Sequence, residues 1–278
     1  MADQQKFTRL RAAQRVWAVS SIHGEIDALN RLHRAIIPNL KPGDRLVYLG
    51  NLIGRGTRSA AAVDSLLRFR SLFLARPDAF ACDVVHLRGS QEEMWQKLLQ
   101  LQFATDPRGV LQWMLDQGVA ASLESYGVNP TEGLREAAAG PRQLTRWTSA
   151  LRERIQAHPG HWQLLGNLRR AAYTDQDATG NGTGSNDGWG LLFVNAGLDP
   201  SRPLEAQKDS FWWGSAGFAN IDTPYAGYRR VVRGFCPQHP GLDLGDFTAT
   251  VDAGCGFDGP LLAACFATDG SLVDEIEA

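Results

Sequence analysis

Six glycine-bearing phrases hold most of the residues in this chain that could do chemistry: SSIHGE at 20–25, GNLIGRG at 50–56, RGSQEE at 88–93, VNAGLDP at 194–200, VVRGFCPQ at 231–238 and VDAGCGFDGPL at 251–261. Within them stand one histidine, His23, the amides Asn51, Gln91 and Asn195, the hydroxyls Ser21 and Ser90, and the guanidiniums Arg55, Arg88 and Arg233. Imidazoles and oxygen donors suit divalent ions. Guanidinium suits phosphate or carboxylate, which it can grip with two hydrogen bonds. Arg233 stands two residues before Phe235, so on a strand end the two would share a side.

Other chemistry is weaker. Cys82 and Arg88 have the Cys-x5-Arg spacing used in thiolate attack on phosphate, but that reaction needs a loop of free amides, and Asp83–Leu87 reads as a strand with its amides in a sheet. The GNGTG run at 180–184 lacks the strand-turn-helix setting of a nucleotide loop. The four cysteines (Cys82, Cys236, Cys255, Cys265) show no zinc-like spacing and read as reduced, buried thiols.

The phrases need elements to hold them. Val16–Ser20, Arg45–Leu49 and Asp83–Leu87 read as strands, alternating with helices around Ile26–Ile37, Ala60–Phe69 and from Gln91 to about Phe103. Leu29, Leu32 and Ile36 share one face of the first helix. Residues 104–170 are helical in character and carry Trp113, Trp147 and Trp162. Asp177–Gly190 is Gly/Asn/Ser-rich and reads as a surface loop. Strands follow at Leu191–Asn195, Arg230–Val232, Thr248–Asp252 and Leu261–Ala267. Each phrase then falls just past a strand, where α/β proteins collect ligands. Residues 1–14 read as an N-terminal tail and 15–278 as one domain.

A formal net charge of -2 gives no field that would favour nucleic acid or an anionic membrane. No apolar run approaches the roughly 18 residues of a membrane span. MADQQKFTRLRAAQR is basic without the apolar core of a signal peptide, so a cytoplasmic location is expected.

In their order, the six phrases resemble the motifs GDxHG, GDxxDRG, GNHE, HAG, GHTP and DTG of calcineurin-like metallophosphoesterases. The nearest branch is that of the bacterial serine/threonine protein phosphatases and diadenosine tetraphosphatases. WMLDQGVAASLESYG at 113–127 resembles a cap phrase of that branch, and PLEAQ at 203–207 another. The resemblance spans roughly residues 15–270. It implies an α/β fold, a two-sheet β-sandwich flanked by helices, with a helical cap insertion at about 104–170.

The resemblance also implies two metal ions that clamp a phosphate and activate water. Carried over position by position, its ligands fall at Ser21, His23, Asn51, Ser90, Asn195 and Phe235, where only His23 keeps the ligand type. The proton-donating histidine falls at Gln91 and the carboxylate that orients it at Gly54. Of two phosphate-gripping arginines, Arg55 stands and the other falls at Gly214, after Trp212–Trp213. Neutral oxygens and one imidazole do not offset the charge of two divalent ions, and a glutamine cannot serve as general acid. The expectation is a pseudophosphatase with no metal and no cofactor, docking a protein partner or a phosphorylated ligand. A vestigial anion pocket would draw on Arg55, His23, Arg233, Arg88, Asn51, Ser90 and Asn195. The alternatives are an atypical phosphoesterase working with one metal, and a metal-free sensor of a small phosphate or nucleotide.

Overall fold

A computed structural model describes residues 6–77, 79–175 and 190–278. In β2 (Arg15–Val19), Val16 and Ala18 enter one apolar core while Trp17 and Val19 enter another. Side chains alternate across a strand, so a strand apolar on both faces belongs between two layers. β2 is the centre of a five-stranded sheet. It pairs in parallel with β3 (Asp44–Tyr48), and β3 in parallel with β4 (Val84–His86). On its other side it runs antiparallel to β10 (Leu262–Ala267), which pairs with β11 (Leu272–Glu277).

The second sheet has six strands in the order β1 (Phe7–Leu10), β5 (Ala171–Thr174), β6 (Leu191–Val194), β7 (Arg230–Arg233), β9 (Thr248–Asp252) and β8 (Gly241–Leu244). β6, β7 and β9 are mutually parallel. The inward residues of both sheets, among them Val47, Val85, Phe193, Val232, Val251 and Phe266, form the core between them. This is the two-sheet sandwich that the resemblance implies.

Helices cover the outer faces. α1 (Ile26–Ile36), α2 (Ser59–Leu74) and α3 (Ser90–Leu98) join Trp17, Leu46 and Tyr48 in the largest core. The insertion supplies α4 (Pro107–Met114), a π-helical turn Leu115–Val119, α5 (Ala120–Ser125), α6 (Pro130–Ala139), α7 (Pro141–Gln156) and α8 (His161–Gly166). The short α9 (Ser210–Trp213) packs on the second sheet, with Phe211 and Trp212 buried beside Val194 and Val231. Among the described residues, no helix is long and apolar enough to cross a membrane.

Two sequence expectations change. Phe7–Leu10, inside the segment read as a tail, is strand β1 and pairs in parallel with β5. The helix expected to run to Phe103 stops at Leu98, with a separate 3-10 turn over Leu101–Phe103. The loop expected at 177–190 lies outside the described residues except for Gly190, and the GNGTG run lies outside them entirely.

Candidate functional site

The parallel strands of both sheets deliver their carboxyl ends to one place, and hydrogen bonds between the phrases close it. Ser21 N donates to Gly234 O at 3.0 Å, Gly234 N to Asn195 O at 2.8 Å, and His23 N to Asn51 O at 2.7 Å. Asn195 Nδ2 donates to Leu49 O at 2.7 Å, tying the β6 end to the β3 end. His23 and Asn51 both have φ of 51°, a left-handed backbone uncommon outside glycine. Residues held there cluster at functional sites.

Asn51 is the hub. Its Nδ2 donates to Ser21 Oγ at 3.1 Å, while its Oδ1 accepts from Ser90 Oγ at 3.2 Å and from Gln91 N at 3.1 Å. Ser21 Oγ in turn donates to Gly234 O at 2.9 Å. Gly89 permits this approach, because a Cβ there would lie 2.2 Å from Asn51 Oδ1. Beneath the hub, Glu92 accepts four backbone N–H bonds, from Asn51 and Gly89 on one oxygen and from Leu52 and Ile53 on the other, at 2.7–3.1 Å. Burial pushes this carboxyl up, and the four N–H bonds pull it back down. Sequence reasoning did not single out Glu92. Its signal was the glycine-bounded turn, whose consecutive amides need a buried acceptor.

His23 is 1% exposed, and neither ring nitrogen has a hydrogen-bond partner. Aromatic rings surround it: Phe257 stands edge-on with centroids 5.4 Å apart, and Phe235 lies at 6.1 Å. His239 packs on Phe257 at 4.5 Å and on Phe235 at 5.8 Å, and its Nδ1 meets Asp252 Oδ2 at 2.9 Å. Burial pushes the His23 pKa down to about 3, with smaller contributions from the Arg55 and His239 charges. His23 is therefore neutral at physiological pH. Phe257 and His239, both missed in the sequence, complete this cluster through contacts between separate phrases that no spacing reveals.

The arginines part company. Arg55 lies over the Phe257 ring, its Cζ 4.1 Å from the centroid, with its Nε buried and unpartnered. Its stem packs on the cap, where a Cβ on Gly118 would come within 2.7 Å of Arg55 Cγ. Burial lowers its pKa, but a guanidinium stays charged. Arg88 is paired with Glu93 at 3.1 Å. Arg233 donates to Thr250 Oγ1 at 2.9 Å and lies over Phe218, and does not join Phe235 beside His23. Gln91 Nε2 donates to Gln117 O at 2.8 Å and so anchors the cap.

The residues present do not fit a pair of divalent ions. Of the six ligand positions, Asn51 has both ends of its amide committed, Phe235 offers no donor, and no position carries negative charge. Lone pairs without partners remain on the His23 ring and on Asn195 Oδ1. Two neutral donors do not offset the charge of a dinuclear centre.

Two mixed sheets face to face, helices outside, and a site at the parallel strand ends define the calcineurin-like metallophosphoesterase fold, and this chain has that fold. It is similar over 98% of its length to 98% of a candidate diadenosine tetraphosphatase, with a TM-score of 0.51 and 18% identity. All of it also matches 87% of a protein serine/threonine phosphatase from Saccharomyces cerevisiae, with a TM-score of 0.52 and 12% identity. No protein-family model and no curated protein matches the sequence.

Proposed function

We propose that this chain is a pseudophosphatase, a protein with a metallophosphoesterase fold that acts by binding a protein partner and not by hydrolysis. The observation that carries the proposal is the state of Asn51. A bridging ligand must present free, negatively charged oxygen to two ions, whereas the Asn51 amide is neutral and hydrogen-bonded at both ends to Ser21, Ser90 and Gln91. The aromatic cluster of Phe235, Phe257 and His239 around His23 supports it.

A protein partner is favoured over a phosphorylated ligand by the charges. Arg88 is neutralised by Glu93, His23 is neutral, and Arg55 is engaged by an aromatic face. The surface also carries an exposed aromatic pair, Trp113 from α4 and Trp213 from α9, with rings 5.7 Å apart. Tryptophans exposed in this way are common anchors in protein interfaces.

A second reading, a weak phosphoesterase using one ion, rests on the unpartnered His23 nitrogens and Asn195 Oδ1. Turnover of p-nitrophenyl phosphate with and without added Mn²⁺ separates the two. The proposal expects no rate above a heat-killed control. A rate well above it that His23→Ala abolishes would establish the second reading.

A further inference from the structure

Away from the strand ends, three metal-ligating side chains meet where the insertion packs on α2. Asp64 comes from α2, His158 from the turn after α7, and His161 is the first residue of α8. One ligand atom from each lies within 4.8 Å of the others. We propose that Asp64, His158 and His161 form a binding site for a single borderline divalent ion of the zinc class, with water completing its coordination.

The geometry is that of a site needing little movement. His161 Nε2 and Asp64 Oδ1 are 3.1 Å apart. Two ligands on one tetrahedral zinc, each about 2.0 Å from the ion, stand about 3.3 Å apart. Metal-bound imidazoles are held at their other nitrogen by a second hydrogen bond, and His161 Nδ1 has one, 2.8 Å from the hydroxyl of Tyr126. Tyr126 is itself buried and packs against Trp95.

The His158 ring stacks on His161 with centroids 4.9 Å apart and stands edge-on to Tyr126. It has no hydrogen-bond partner among the described residues, so both its nitrogens are available as donors. The His-Pro-Gly-His turn fixes the two rings together, with Gly160 supplying a left-handed φ of 82°. Half of the Asp64 side chain is exposed, which leaves the ion a path in from solvent. Two imidazoles and one carboxylate suit zinc, cobalt or nickel, whereas magnesium and calcium need sets richer in oxygen.

Calorimetric titration of Zn²⁺ into the chelator-treated full chain tests the site. One ion per chain is expected, with affinity falling roughly tenfold or more in His158→Ala and in Asp64→Asn. Mg²⁺ should give no binding heat. Co²⁺ should produce a visible absorption band that zinc displaces and that is lost in His158→Ala. Because His161 is fully buried, its removal could unfold the region, so the two more exposed positions carry the test. No zinc binding by the parent chain, or equal affinity in parent and both variants, would overturn the proposal.

Discussion

Gln91 fills the space that a side chain on Gly54 would need: a Cβ at position 54 would meet Gln91 Cγ and Cδ at 2.8 Å. The motifs that the sequence resembles would place a proton-donating histidine and its orienting carboxylate at these two positions. Here Gln91 anchors the cap through Gln117 O, and position 54 has no side chain. Gly54 also holds φ at 131°, a backbone that other residues rarely adopt. Gly54→Ala is therefore expected to lower stability by about 1–3 kcal/mol, measured by urea unfolding. Gln91→His alone should restore no hydrolysis, since it leaves Asn51 and Gly54 as they are. An unchanged unfolding midpoint in Gly54→Ala would show that the two positions do not compete.

Placing a carboxylate at the hub is expected to destabilise it. In Asn51→Asp one oxygen would face Ser21 Oγ, whose proton goes to Gly234 O. The variant loses a hydrogen bond and buries a charge, at a cost of about 2 kcal/mol or more at neutral pH. Burial would raise the new carboxyl above its unfolded value. Its deficit should therefore shrink as pH falls and the group protonates, and grow as pH rises through the folded pKa. Unfolding curves at pH 5 and pH 7 would show this, and equal deficits at both would contradict it.

Glu92 organises the loop through its four backbone N–H bonds. Glu92→Gln replaces one acceptor oxygen by a donor that must oppose two of those amides. A loss of about 2–4 kcal/mol is expected, measured by the same unfolding assay. A loss under about 1 kcal/mol would mean that the loop holds without the carboxylate.

Acid should destabilise the fold earlier than carboxylate protonation alone. Burial pushes His23, His33 and His86 each down to about 3, against about 6.5 when unfolded. Between those values the unfolded chain binds protons that the folded chain does not. Stability therefore holds above pH 6.5 and falls as pH drops toward 3, by up to about 4 kcal/mol per pH unit for three such groups. His86→Gln should flatten that slope by about a third, and a slope unchanged by the substitution would place the titration elsewhere.

β2 and β3 were legible because they are buried on both faces and read as near-continuous apolar runs. β1, β5, β8 and β11 were not read: β1, β8 and β11 are sheet edges whose burial is partial, with β11 alternating half-buried and exposed residues, while β5 lies inside its sheet but is only four residues long and opens on two alanines. Trp212 and Trp213 divide as neighbours on a short helix do, one 2% exposed and the other 48%. At the site, the meeting of Ser21, Asn51 and Ser90 was legible because each sits at a fixed place within its phrase. The roles of Glu92, Phe257 and His239 were not, because each depends on a residue in another phrase. The expected pooling of Arg55, Arg88 and Arg233 rested on strand-end proximity. It could not foresee that Glu93 and Phe218 would engage two of them.

As a pseudophosphatase, this protein should hold no pair of metal ions at its strand-end site. Anomalous diffraction from crystals soaked in millimolar Mn²⁺ tests it position by position, independently of any ion at Asp64 and His161. No anomalous peak is predicted within bonding distance of His23, Asn51 or Asn195. A pair of peaks between His23 and Asn51 would contradict it.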